Sequence, residues 1–253
     1  MTDKTLHVFI GYDDREDEAY RVCRYSMVVR SSEAVSIHPL KHKPLRDLGL
    51  FDRPWRISES GQYVDERDGK PFSTQFSHSR FLVPEYAKKL GISGWALFVD
   101  CDFLFRANLA HLFELADPEY ALMCVQHEHI PDETLKMDGV EQTRYYRKNW
   151  SSLMLFNLDH PLNKDLDIDA VNHKPGSWLH SFGWLPDEAI GDLPAAWNWI
   201  EGVSPRILPP KAVHYSVGGP WFENYRDVAF AQEWIAERGR MARIRAADLR
   251  HGQ

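Results

Sequence analysis

Residues 95–105 read WALFVDCDFLF. Five mostly apolar residues run into Asp100 and Asp102, and a second apolar run follows at once, the pattern of a buried strand that delivers carboxylates to a cleft. In an extended segment residues i and i+2 project to the same side, so both carboxylates face one space and Cys101 points away from it. Two like charges held that close among apolar residues are costly unless a metal, cationic side chains or protons neutralise them. Hard divalent ions prefer oxygen ligands and often bridge a protein to a diphosphate, so a metal-nucleotide site is the leading expectation. The plainer alternative is a strand end whose aspartates cap the next helix.

The flanking segments read as an α/β chain. Residues 6–10, LHVFI, predict a buried first strand that empties into Gly11, Tyr12, Asp13 and Asp14 before a helix over 17–29. In α/β sheets ligands gather at the carboxyl ends of strands, which makes Gly11, Tyr12 and Asp13 candidates to contact a base or ribose. Neither a dinucleotide fingerprint nor a P-loop is present, and helix capping is the competing reading for Asp13 and Asp14. A second strand is expected over 35–39, then a Pro-, Gly- and charge-rich loop or flap over 41–71 anchored by Trp55 and Tyr63. Residues 73–90 predict a helix bent at Pro84 and stopped by Gly91, with Arg80 facing either the acidic pair or solvent. Further on come a short helix over 108–115, a strand over 120–126 and a polar segment whose His127 and His129 read as surface histidines. A buried strand over 150–158 has Ser151 and Ser152 at its entrance, and a short helix over 185–190 carries Asp187 and Glu188 in its first turn, where acids also suit the helix dipole. A final amphipathic helix is expected over 228–249.

Composition narrows the function classes. The 253 residues suit one large domain, with 43% hydrophobic and 26% charged residues typical of a globular protein. A formal net charge of -7 excludes a nucleic-acid platform, which needs a basic surface. The three cysteines, Cys23, Cys101 and Cys124, are too few and too scattered for a disulfide framework. The start of the chain has no signal-peptide pattern and no stretch reaches transmembrane length, so a cytoplasmic location is expected, with peripheral membrane contact left open. Nine tryptophans and ten tyrosines are many for this length, and aromatic faces are what sugar-handling clefts stack on.

Taken in order, AxxFxDxDxxF after a helix carrying SRFLVPE, then a strand ending in FNL, LPDEAI followed by WN, and HYSVGGPW resemble glycosyltransferase family 8, the family of glycogenin and the bacterial lipopolysaccharide glucosyl- and galactosyltransferases. The resemblance spans roughly residues 6–222. It implies a single α/β domain of GT-A fold with a mixed, mostly parallel central sheet flanked by helices, a nucleotide-binding half over about 1–126 and an acceptor-side half over about 127–253. It also implies a UDP-sugar donor, Mn²⁺ (or Mg²⁺), a saccharide or glycolipid acceptor, and retention of the anomeric configuration. By position, Asp100 and Asp102 correspond to the family's DxD, and His214 to the histidine that supplies the third metal ligand. Gly11, Tyr12 and Asp13 match the loop that holds uracil and ribose, Arg80 a helix arginine near the donor, and Asp187 and Glu188 the DQD segment that binds donor and acceptor hydroxyls.

The family pattern is departed from in three places. The late motif is one residue short, with Gly218 and Gly219 present and Gly219 where a diphosphate-binding lysine is expected, leaving Lys211 as the candidate substitute. Ser151 and Ser152 stand in the family's NAG triplet, and Glu188 replaces a glutamine. The chemistry implied is metal-assisted departure of UDP with same-face attack by the acceptor, or, less favoured, a covalent step on Glu188 or Asp187. Two other readings stay open. One is a sugar-nucleotide-binding protein that has lost transfer; the other is a haloacid-dehalogenase-type phosphohydrolase, which also carries an hhhDxD motif but places it on an early strand.

Overall fold

The structure is a computed structural model that describes residues 5–127, 147, 149–205 and 209–251; His129 lies outside these. The chain runs from β1 (Leu6–Gly11) through α1 (Asp17–Val28), β2 (Val35–Leu40) and α2 (His42–Asp47) to three short strands, β3 (Trp55–Ile57), β4 (Tyr63–Asp65) and β5 (Pro71–Phe72), and then α3 (Val83–Lys89). β6 (Trp95–Val99), β7 (Phe103–Phe105), α4 (Ala110–Phe113), β8 (Leu122–Cys124) and β9 (Leu153–Asn157) follow. α5 (Ile168–His173), α6 (Gly176–His180), β10 (Ile190–Asp192), β11 (Trp199–Ile200), β12 (Ala212–His214) and α7 (Ala231–His251) complete it.

The apolar run before Asp100 becomes β6 at the middle of a six-stranded sheet of order β10-β8-β9-β6-β1-β2. β2, β1 and β6 are parallel, β9 is antiparallel to both its neighbours, and β10 is parallel to β8. This is the mixed, mostly parallel sheet expected. Val8, Ile10, Leu97, Val99 and Leu155 are fully buried, as central strands covered on both faces must be. Parallel strands share a carboxyl edge, so the loops after Gly11, Leu40 and Val99 open on the same side of the sheet.

A second sheet, β11-β12-β7, stands beside that edge. Its antiparallel β7–β12 register sets Phe103 opposite His214. α7 closes this sheet through Trp234, which packs in a cluster with Leu104, Trp199, Val213, Tyr215 and Val22. That helix begins at Ala231, three residues later than its amphipathic pattern suggested. All three cysteines are free and buried.

Two expectations change. The segment over 41–71 is no simple loop: it contains α2 and the antiparallel sheet β3-β4-β5. Its anchor is a buried ion pair between Arg53 and Asp65, both about 1% exposed, with Arg53 also donating to the carbonyls of Val171 (3.1 Å) and Lys174 (2.7 Å). Trp55 and Tyr63 anchor it too, their rings 5.1 Å apart and Tyr63 stacked on Phe72, while apolar periodicity does not register the part of the anchor made of charge. The helix over 73–90 does not bend at Pro84; a 3-10 turn over Ser79–Leu82 precedes α3, and Pro84 occupies the first turn, where its missing N–H costs nothing. Gly91 terminates it at φ +68°.

The Arg53–Asp65 pair supports a stability test. Asp65→Ala leaves a buried guanidinium with only the more distant Asp68 carboxylate, 4.0 Å away, as counter-charge, and urea unfolding should show a loss of about 3 kcal/mol. Lys43→Ala, which breaks an ion pair whose side chains are 85% and 60% exposed, should change stability by no more than about 0.5 kcal/mol. Equal effects from the two substitutions would contradict this account.

Candidate metal centre

At the decisive point the backbone is not extended. β6 ends at Val99 and residues 100–102 form a tight turn before β7. The turn is clamped on both sides, by Asp100 N–H donating to the Ser152 carbonyl (2.9 Å) and by Tyr215 N–H donating to the Asp102 carbonyl (3.1 Å). Through this clamp and the β7–β12 register, one ligand atom each from Asp100, Asp102 and His214 lie within 4.8 Å of one another. His214 is buried, its ring stacked on Phe103 at 4.4 Å and its Nε2 3.5 Å from Asp102 Oδ1. The helix-capping alternative for the aspartates is not realised: the pair faces an imidazole.

These residues fit a divalent cation. Asp100 Oδ1 and Asp102 Oδ1 are buried oxygens without a hydrogen-bond partner, which in a native fold calls for a compensating charge. Arg80 Nη1 lies 3.0 Å from Asp100 Oδ1 without the alignment of a hydrogen bond and donates instead, at 3.4 Å, to Asp100 Oδ2. Burial pushes the Asp100 carboxyl up to about 7 against the pull of Arg80, so one guanidinium does not neutralise the pair. Two carboxylates and one imidazole are a donor set for ions of the Mn²⁺ and Mg²⁺ kind.

The other expected residues divide. Arg80 belongs to the site: it is 6% exposed, donates to the Ser151 carbonyl at 2.9 Å, lies over Phe76 and Phe98, and keeps a buried Nε without a partner. Ser151 and Ser152 form a 3-10 turn rather than the first residues of β9. Their hydroxyls face inward, Ser151 to His180 Nδ1 (2.9 Å) and Ser152 to the Asn149 carbonyl (2.7 Å). Gly11 ends β1 with the Phe76 ring where a Cβ would stand, so no larger residue fits there. The Tyr12 hydroxyl donates to Asp17 (2.9 Å), and Lys41 Nζ lies 3.8 Å from the centre of its ring. Asp13 is fully buried and caps: it accepts from Arg15 N–H at 2.9 Å and Gln75 N–H at 3.0 Å, pinning the loop after β1 to the one before α3.

Lys211 is not brought to the triad. It lies at the other end of β12 from His214, its backbone bonded to Arg106 and Ala196 and its ammonium 5.1 Å from the Trp197 ring. Three residues along a strand is roughly 10 Å, and the alternation sends its side chain to the opposite face from His214. Gly219 has no room for a side chain, because the Trp221 ring occupies the space a Cβ would need, and Gly218 sits at φ +149° against Tyr225. Asp187 and Glu188 are exposed in a 3-10 turn before β10, and Asp187 is ion-paired to the buried Arg147.

Several groups at the site carried no motif signal. His127 is a correction: half-buried, not at the surface, with its Nε2 lacking a partner and its pKa lowered to about 4 by burial and by neighbouring His214. Asn198, fully buried, bonds His214 Nδ1 at 3.0 Å and Ser152 Oγ at 2.9 Å. Only its place in the WN pair hinted at it. Glu16 accepts from the Cys101 thiol at 3.4 Å, and burial and the charge of Asp102 push its carboxyl up to about 8. An acid at the start of a helix reads as a dipole partner, and nothing local reveals Asp102 beside it.

No family model matches the chain. It is 48% identical over 240 residues to Protein CDI of Arabidopsis thaliana, an alignment that covers 92% of this chain and 86% of that protein. Among solved structures it resembles the galactosyltransferase LgtC in complex with donor and acceptor sugar analogs, at 14% identity and TM-score 0.56, over 92% of this chain and 95% of LgtC. It also resembles the glycosyltransferase GlyE of Streptococcus pneumoniae TIGR4, at 15% identity and TM-score 0.57, over 93% of this chain and 60% of GlyE. The fold is therefore GT-A, and the dehalogenase alternative, which needs its aspartates on an early strand, falls with it. Among the described residues no helix is long and apolar enough to cross a membrane.

Glu16 gives this site a pH signature. Its folded pKa is raised from 4.5 to about 8, so its contribution is fully present below the unfolded value and is lost as pH rises through the folded one. With a chelator present, the melting temperature of the native chain should fall more steeply between about pH 5 and 9 than that of Glu16→Gln, the two curves converging at the acid end. Parallel curves would show that Glu16 is not desolvated beside Asp102.

Proposed function

The chain belongs to the family of Protein CDI of Arabidopsis thaliana, and on that premise and its GT-A fold we propose that it is a glycosyltransferase that moves a hexose from a UDP-sugar to a saccharide or glycolipid acceptor with retention of configuration. The observation that carries this reading is the convergence of Asp100, Asp102 and His214 at the carboxyl edge of the sheet. These three would hold Mn²⁺ or Mg²⁺, and a divalent ion there supplies Lewis-acid neutralisation of the charge that grows on a departing diphosphate.

The residues of the chain have separable parts in this scheme. Gly11 and Tyr12 form the base and ribose end of the cleft, and Asp13 holds their loop in place from beneath. Arg80 adds a fixed positive charge beside Asp100, with its free Nε directed to donor oxygens. Ser151 and Ser152 shape the sugar end through the turn they build, and Gly218 and Gly219 bring the backbone close to the phosphates. Asp187 and Glu188 lie on the acceptor side. In same-face substitution the bond from the acceptor oxygen to the anomeric carbon forms as the bond to the phosphate oxygen breaks, and the hydroxyl proton passes to that phosphate. This route is preferred because Asp187 is already engaged by Arg147, while Glu188 is the residue left for a covalent alternative.

A second reading is a UDP-sugar-binding protein without transfer. It is favoured by one observation: neither Gly219 nor Lys211 offers a lysine to the diphosphate.

The test is a panel of UDP-sugars with and without Mn²⁺. A donor at about 100 times its dissociation constant should stabilise the protein by about 2.7 kcal/mol, or roughly 5–11 °C in melting temperature. Asp102→Asn should abolish the Mn²⁺-dependent part of that shift and lower turnover by at least about 10²–10³-fold. No response to any UDP compound would sink the nucleotide assignment, and a shift without hydrolysis or transfer would support the second reading.

A further inference from the structure

We infer that Asn198 is a positioning residue that sets the tautomer of His214 and so presents its Nε2 lone pair to the triad. The inference rests on the metal reading above. Its argument is a chain of donors and acceptors read from the one member that can only accept, with the His127 side chain as a further neighbour of the Asn198 amide. The Asn149 carbonyl can only accept, so the Ser152 hydroxyl, 2.7 Å away, donates to it. Ser152 Oγ is then left to accept, and Asn198 Nδ2, at 2.9 Å, donates to it. That settles the orientation of the amide, whose O and N are otherwise interchangeable, and turns Oδ1 toward His214 Nδ1 at 3.0 Å. An amide oxygen cannot donate, so the neutral imidazole carries its proton on Nδ1 and its lone pair on Nε2.

Nε2 is the nitrogen that lies 3.5 Å from Asp102 Oδ1. With the proton on Nδ1, a lone pair faces a carboxylate oxygen, an arrangement of two acceptors that a cation between them satisfies. With the proton on Nε2 the ring would instead donate to Asp102 and give up its ligand atom. Asn198, Ser152 and His214 are 0%, 3% and 3% exposed, so water does not compete for the relay. Its start is also committed: Asn149 holds a left-handed φ of +66°, a conformation asparagine tolerates better than most residues. Ser152 does double duty, because its carbonyl receives the Asp100 N–H while its hydroxyl orients Asn198. The carboxylate turn and the histidine are thereby set by the same residue. Outer partners of this kind fix ring orientation and tautomer in metal sites generally.

The experiment uses the full chain freed of metal. Nitrogen-15 NMR of the histidines reads the tautomer of His214, and electron paramagnetic resonance of free Mn²⁺ reads affinity. The wild type should show His214 protonated on Nδ1. Asn198→Leu should shift it to the Nε2-protonated form and weaken Mn²⁺ binding roughly 10–100-fold. Asn198→Asp, whose carboxylate still accepts from Nδ1–H, should keep the tautomer and stay within roughly tenfold of wild-type affinity. A purely structural asparagine would not produce that split. A neutral wild-type His214 whose single proton sits on Nε2, read at a pH where the ring is not imidazolium, or an Asn198→Leu protein with unchanged tautomer and affinity, overturns the proposal, and the first of these needs no variant to fold. If instead the wild type binds no Mn²⁺ and Asp102→Asn changes nothing, the metal reading fails while the tautomer measurement still decides the relay.

Discussion

The mutual repulsion of Asp100 and Asp102 is the constraint to which the surrounding structure answers. Two carboxylates at the end of a buried strand, with a third acid, Glu16, beside them, are not a stable arrangement for a protein interior on their own. The structure meets the repulsion with Arg80 on one side and His214 on the other, and with a backbone clamp that prevents the turn from relaxing outward. What it does not supply is enough positive charge, since two carboxylate oxygens remain buried without hydrogen bonds. The remaining deficit is of a kind that a divalent cation would fill, and it separates this centre from a self-sufficient ion cluster. The contrast with Arg53 and Asp65 is instructive: that pair is equally buried, but its guanidinium and carboxylate are close to fully bonded.

Gly219 and Lys211 are where this chain departs most from the pattern it resembles. Gly219 is enforced by Trp221, whose ring fills the space a side chain would take, and Lys211 is directed away along β12. Among the described residues, the positive charge beside the two aspartates therefore comes from Arg80. The same holds for the turn before β9. Ser151 and Ser152 spend their hydroxyls on His180 and Asn149, so their contribution to the cleft is the shape of a turn.

Much of the fold was legible because it is written in apolar runs. Leu6–Gly11 and Trp95–Val99 are strands that periodicity finds, since each lies in or next to the sheet centre, and the half-buried edge strand Val35–Leu40 pairs with the first of them. The small sheet of residues 55–72 was legible only in its anchors Trp55 and Tyr63, which pack with Phe72 across its three strands; its strands are two or three residues long and it is tied down by the Arg53–Asp65 pair, so no apolar alternation announces it. At the centre, Asp100, Asp102 and Arg80 stood out through their motif and position. His127 and Glu16 did not, because burial and a distant neighbour, not local sequence, give each its character.

By itself the amino-acid sequence determined that a strand would deliver two acids to one edge of an α/β sheet, since a run such as WALFV has no stable place but the interior. It also supplied the ligand types, carboxylate and imidazole, and their order along the chain. Only the tertiary structure decided that the two aspartates meet in a turn instead of along a strand, that Lys211 is excluded, and that Asn198 and Ser152 stand behind His214. The physical reason is distance in sequence. The β7–β12 register and the clamp from Ser152 join residues 103, 152, 198 and 214, and such pairings depend on how whole elements pack, which no local pattern encodes.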